Sequence, residues 1–230
     1  IIESPIYTFT ASSLDLNDTS ISLQHTAIDK LHKPQNYFDI QDQSIGWITG
    51  AQVCYCAEAF PTVGSKHPDA PKLSVLAAVL RNGYLHSAIR EKGGAYGAGA
   101  AHDAIAQTFQ FYSYRDPKCK ETFSEFSNSR LWALDNISEN QLEEGILGVI
   151  SSIDKPMSPA GEAANDFISL IKNKSQEERL EFRTRVKETK VRDLKEMVSK
   201  YLSKDSKKAV LAGESFNETL IDQGFEIKIV

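Results

Sequence analysis

The chain has 230 residues and a mass of 25.5 kDa, enough for one large domain with a sizeable core. Hydrophobic residues make up 41% and charged residues 25%, a globular composition that excludes collagen-like, coiled-coil and disordered classes. A net charge of −5 and a pI near 5.6 argue against nucleic acid or an anionic membrane as the main partner, and no run approaches the roughly 18 apolar residues of a membrane span.

Residues 1–46 are rich in Ser, Thr, Asp, Asn and Gln and broken by Pro5 and Pro34. They read as a linker or the tail of a preceding domain, with the main domain running over 47–230. The start, Ile1-Ile2-Glu3-Ser4-Pro5, has neither Met nor a signal-peptide pattern, so the chain is expected to be processed or excised from something longer. From Trp47 to Phe60 the aromatic, β-branched and Cys residues predict one strand, with Gln52, Cys54, Cys56 and Glu58 on one face. Leu73, Leu76, Ala77, Leu80 and Tyr84 then predict a helix of about twenty residues with a single apolar stripe, left at Gly93-Gly94.

Two strands are predicted over Ala95–His102 and Ile105–Tyr114, close enough for a hairpin. Asp116-Pro117 reads as a helix start, and Ser138 with Gln141 and Ser175 with Glu178 as capping boxes. Ser158-Pro159 and Thr189 are expected to open further helices, and Ala209–Ala212 and Phe225–Val230 to close the chain as strands. This order gives an α+β fold, a mostly antiparallel sheet covered on one face by several helices.

Cys54, Cys56 and Cys119 are too few for a disulfide framework and read as free, buried thiols in a reducing compartment. His25, His32, His67, His86 and His102 never form HxxEH, HxxxH or the inverted zinc motif. No metal ligand set is therefore expected in this chain. His102-Asp103 reads as a solvated loop. Gly97-Ala98-Gly99 leaves a helix instead of entering one, the wrong order for a phosphate cradle. No Gly-x-Ser-x-Gly elbow is present, and the basic residues from Arg183 to Lys208 alternate with acids as on a solvated helix face.

One constellation remains: Arg90 at the helix end, Gly93-Gly94 at the turn and Tyr96 at the next strand. A guanidinium fork and a phenol can both donate to a carbonyl or carboxylate, and the glycines let the chain turn so that both side chains face one cleft. An Arg near a helix C-terminus also suits the helix dipole without any further role.

At these residues the chain resembles a known family. Leu85-His86-Ser87-Ala88-Ile89-Arg90-Glu91-Lys92-Gly93-Gly94-Ala95-Tyr96-Gly97 is similar to the R-x-x-G-G-A-Y-G segment of presequence-protease-type M16 metallopeptidases, the insulinase or pitrilysin superfamily. In register with it, Ala51-Gln52-Val53-Cys54-Tyr55 resembles the first strand of their last domain. Ser113-Tyr114-Arg115-Asp116-Pro117 resembles the S-Y-R-D-P that ends its hairpin, and Ser175-Gln176-Glu177-Glu178-Arg179 its T-x-E-E-R turn.

The resemblance implies a zinc metalloendopeptidase that degrades short, unstructured peptides inside a chamber formed by two halves. It implies that zinc and an HxxEH glutamate belong to the N-terminal half, and that 47–230 is the C-terminal, non-metal domain. Arg90 and Tyr96 would then act on the substrate carbonyl and its oxyanion, with Gly93 and Gly94 beside them in substrate binding. Partners implied are peptides and the N-terminal half of the same polypeptide, in a bacterial cytoplasm or a mitochondrial or plastid matrix. The 230 residues alone are expected to be inactive. The alternative on the same fold is a catalytically silent scaffold or peptide-binding subunit.

Overall fold

The computed structural model describes residues 44–171 and 175–229, so most of the 1–46 linker reading lies outside the described residues. The chain divides into two compact units. The described residues of the larger are 44–153 and 181–229, and those of the smaller are 154–171 and 175–180.

The larger unit is built on a six-stranded mixed sheet. Its strands are β1 (Ile45–Thr49), β2 (Tyr55–Pro61), β3 (Gly97–Asp103), β4 (Thr108–Tyr114), β5 (Lys207–Gly213) and β6 (Glu226–Ile229), in the order β3-β4-β2-β5-β1-β6. The β3–β4, β4–β2 and β2–β5 pairs are antiparallel, while β1 runs parallel to β5 and β6. The α+β architecture expected from the sequence is thus present.

The single strand expected over Trp47–Phe60 is two strands, because β5 lies between β1 and β2 and the chain must cross the end of β5 to reach its other side. Thr49 Oγ1 accepts the Ala51 amide at 3.2 Å to start this crossing. Gly213, at the end of β5, passes beneath it so closely that a Cβ there would collide with the Ala51 carbonyl oxygen. Nothing in the one-dimensional pattern marks this crossing, since Gly50 and Gln52 interrupt an otherwise strand-like run by only a few residues.

Helix α1 (Ala70–Leu80) carries apolar residues all round: Val75, Ala78 and Val79 are buried as well as Leu73, Leu76 and Leu80. Such a helix belongs inside the layers, unlike one with a single buried stripe. It continues without a break into a π-helical segment, Arg81–Glu91, where the expected twenty-residue α-helix would have run on. Around these pack α2 (Cys119–Asn136), α3 (Glu139–Ile153), the C-terminal part of α5 (Gln176–Lys187) and α6 (Val191–Tyr201); a short α7 (Asn217–Asp222) precedes β6. In the smaller unit Ser158 Oγ accepts the Gly161 amide ahead of α4 (Pro159–Ile171), and Ser175 and Glu178 form their capping box at the start of α5.

Two helix starts differ from expectation. Ser138 and Gln141 cap α3 as read, but α2 begins at Cys119, two residues beyond Pro117. Asp116 acts across that gap, its buried carboxylate accepting the Lys118 amide at 2.9 Å and the Thr122 hydroxyl at 2.6 Å. Thr189 closes α5 by donating to the Arg185 carbonyl, and Lys190 with Asp193 opens α6 instead.

Cys56, Glu58 and Phe60 form the buried face of β2, with Cys54 buried just ahead of the strand, as period-two alternation requires. Phe60, Phe109 and Phe111 from the sheet meet Phe123 and Phe126 of α2, with ring centroids 5.4 to 6.1 Å apart. All three thiols are free and buried, and Cys56 Sγ lies 3.8 Å from Cys119 Sγ. Hydrogen bonding with Cys119 and burial push the Cys54 and Cys56 thiols up, so both stay protonated.

A polar latch joins α1 to α6. Asp69, at the α1 N-terminus and 7% exposed, accepts Lys200 Nζ at 2.7 Å and the Tyr201 hydroxyl at 2.8 Å. Burial alone would raise this carboxyl, but those hydrogen bonds and the Lys200 and His67 charges hold it below its ordinary value. A carboxyl depressed on folding contributes stability above its unfolded pKa and loses it as pH falls through the folded value. Between about pH 5 and pH 2 the unfolding free energy of the wild type should therefore fall more steeply than that of Asp69→Asn, a comparison made by urea titration. Phe111 touches Phe60, Phe109 and Phe126, and Phe111→Ala should cost about 3–5 kcal/mol in the same titration.

Candidate active site

The π segment ends in a turn that fixes the four sequence-predicted residues. The Lys92 amide donates to the Ser87 carbonyl at 3.0 Å, five residues back. The Gly94 amide donates to Arg90 at 3.0 Å, and the Ala95 amide reaches Ile89 at 3.1 Å. This is a glycine helix exit enlarged by one residue to suit the wider π turn. Gly94 has φ +87, the left-handed region glycine tolerates best. At Gly93 the constraint is space, since an added Cβ would collide with the Ile89 carbonyl oxygen.

Arg90 lies exposed in the last turn of the π segment. Its Nη1 donates to His86 Nε2 at 3.1 Å, which leaves the His86 proton on Nδ1, 3.5 Å from Glu91 Oε1. The guanidinium is therefore held through an imidazole backed by a carboxylate. His86 joins the site without belonging to any metal or catalytic motif of the sequence. Its i, i+4 spacing to Arg90 was the available signal.

Tyr96 stands at the start of the hairpin, 69% exposed. Its amide donates to the Tyr114 carbonyl at 3.1 Å and the Arg115 carbonyl at 3.3 Å, and its ring meets Tyr114 edge-on at 5.8 Å. Tyr114 in turn meets Tyr55 at 5.3 Å, so a row of tyrosines runs across β3, β4 and β2 on the face away from the phenylalanine core. No hydrogen bond joins Arg90 to Tyr96. Both present donors at the surface on either side of the double-glycine turn.

A hollow of about 580 Å³ opens between the π segment and α2, lined by Gly83, Tyr84, Ser87, Gly93, Glu121 and Glu125 among others. It includes Gly93 but neither Arg90 nor Tyr96. Tyr84 donates to Glu125 Oε2 at 2.7 Å, and burial followed by that carboxylate pushes its pKa up to about 12, so it remains a donor. His102 lies in β3, not in the solvated loop expected, with Nε2 3.1 Å from the Val63 carbonyl. Burial holds it below the usual imidazole range and therefore neutral.

Among the described residues no three His, Cys, Asp or Glu side chains are grouped to hold a metal ion. The donors among the described residues do not fit a zinc site.

Compared with known families, residues 52–212 match the PreP C-terminal domain. The chain belongs to that family. This PreP C-terminal domain is 37% identical over 164 residues to "Presequence protease, mitochondrial" of Kluyveromyces lactis, a match covering 70% of the chain and 16% of the relative. With the protein of the same description in Emericella nidulans it shares 34% over 179 residues, 77% of the chain and 17% of the relative. The chain thus spans about one sixth of the length of these relatives. Its fold is similar to the crystal structure of a protease from Helicobacter pylori, with a TM-score of 0.64 at 19% identity over 75% of this chain and 44% of that one. The fold and the membership of the M16 presequence-protease type agree with the resemblance carried by Arg90 to Tyr96 and Ser113 to Pro117.

Gly93→Ala should move the turn that carries both Arg90 and Tyr96. A fall in Tm of several degrees is expected in a thermal melt, while Gly148→Ala, with open space around its Cα, should leave Tm unchanged or raised.

Proposed function

We propose that this domain is the substrate-contacting, non-metal part of a zinc-dependent metalloendopeptidase that degrades short, unstructured peptides. Zinc and its HxxEH ligands belong to the N-terminal part of the longer polypeptide, the second half of a closed chamber, and the domain alone cleaves nothing. The curated relatives are described as presequence proteases of mitochondria, which supports cleaved targeting peptides as one substrate class and the mitochondrial matrix as the site of action.

The observation carrying this reading is that Arg90 and Tyr96 flank one rigid turn as exposed donors, with Arg90 braced by His86. Arg90 supplies a charged N–H fork that binds a peptide carbonyl next to the scissile bond and orients the backbone. The Tyr96 hydroxyl donates to the oxygen on which negative charge develops as that carbonyl becomes tetrahedral. A donor already in place stabilises the transition state more than the ground state. Gly93 and Gly94 hold the two donors in register and keep bulk out of the path of the peptide.

In the full-length protein, Tyr96→Phe and Arg90→Ala should each lower kcat by about 10²–10³-fold, the loss typical of one oxyanion donor. Their zinc content should match the wild type. Cleavage of a fluorogenic peptide measures this. Wild-type turnover in both variants would remove the assigned roles, and a full-length protein that binds peptides without cleaving them would establish the silent-scaffold alternative.

A further inference from the structure

The segment Ser113-Tyr114-Arg115-Asp116-Pro117 ends the hairpin beside Tyr96, and all but one of its side chains have a place in the fold. Ser113 is buried, and Tyr114 packs its ring between Tyr55 and Tyr96. Asp116 is fully buried, binds Lys118 and Thr122, and exchanges two backbone hydrogen bonds with Cys54 at 2.7 and 2.9 Å. Pro117 lies against Gly94.

Arg115 is different. Its side chain is exposed and makes no hydrogen bond or ion pair with any described residue. Its backbone sits at φ +49, a region that penalises every residue with a Cβ and that glycine or asparagine would fill at less cost. The turn uses only the backbone of this residue, so the fold does not explain why an arginine stands in a strained conformation there, which points to function. The position is specific too, because the Arg115 carbonyl receives the Tyr96 amide.

The acids near Tyr96 are already committed. Asp116 is buried and bound by two donors, and Glu91 faces His86. The exposed side chains on the two turns that flank Tyr96 therefore include the Arg90 and Arg115 guanidiniums, beside its own phenol, with neither of these acids free. We infer that Arg115 is a further substrate-binding residue, taking a peptide carboxylate close to the bond that Arg90 and Tyr96 hold. This rests on the reading of Arg90 and Tyr96 given above. The guanidinium fork matches a carboxylate in two parallel hydrogen bonds, whether the carboxylate belongs to an acidic side chain or to a peptide C-terminus.

The test uses the full-length protein and three versions of one cleavable peptide. The first has Glu beside the scissile bond and an amidated end, the second Gln there and an amidated end, and the third Gln with a free C-terminal carboxylate just past the bond. Arg115→Gly removes the guanidinium and relieves the backbone, so it should fold at least as well as the wild type. Its kcat/KM should fall about tenfold to a hundredfold more on a carboxylate-bearing peptide than on the neutral one, through KM.

Arg115→Lys, a point charge without the fork, should fall between. A selective loss on the Glu peptide identifies a side-chain carboxylate, and one on the free-acid peptide a terminal carboxylate. Equal effects on all three peptides would overturn the Arg115 inference while a Tyr96→Phe loss left the broader reading standing. Wild-type turnover in both Tyr96→Phe and Arg90→Ala would overturn both.

Discussion

The exit from the π segment is the constraint on which the candidate site depends. The Ile89 carbonyl must accept the Ala95 amide across a turn one residue wider than an α-helix allows, and it comes so close to residue 93 that only hydrogen fits there. Gly94 then has to enter the left-handed region for the chain to reverse into the hairpin. With these two backbone demands met, the separation of Arg90 and Tyr96 follows from covalent geometry. Ile89 and Ala95 are themselves buried, so the turn is anchored in the core while its polar edges face outward.

The same logic links the core to the site through β4. Phe109, Phe111 and Ser113 point inward, and the intervening Tyr112 and Tyr114 point outward. The stacked phenylalanines thereby fix the register of the strand whose end carbonyls receive the Tyr96 amide. Aromatic packing on one side of the strand sets the height of the donors on the other.

What could be read from the sequence was mainly local. Capping boxes at Ser138 and Ser175, the glycine exit after Arg90 and the alternation around Phe109 and Phe111 depend on residues a few positions apart, and all are present. What escaped depended on contacts distant in sequence. The split of the first strand follows from β5, some 160 residues later, inserting between its halves. The all-round burial of α1 follows from α3 and α6 covering the side away from the sheet, which no single helical stripe reports. Cys119 could not be joined to Cys54 and Cys56 by spacing, since their meeting needs α2 folded onto β2. At the site the residue types were legible because a motif carries them. The bracing of Arg90 by His86 was not, because an i, i+4 spacing allows two side chains to meet without requiring it.

Two left-handed residues from separate turns determine how Tyr96 is presented. Gly94 reverses the chain just before it, and Arg115 turns the strand that receives its amide. A single turn would leave the phenol free to swing with its loop. Two turns, one anchored through Ile89 and the other through the buried Asp116, fix its backbone from both sides while the Tyr114 ring limits rotation of the side chain. A donor held in this way needs little rearrangement when charge develops in front of it, which is the condition for electrostatic stabilisation to act on a rate and not merely on binding. The strain at Arg115 and the exclusion of side chains at Gly93 therefore have one physical meaning. Both are costs of placing exposed polar groups rigidly at the edge of a sheet.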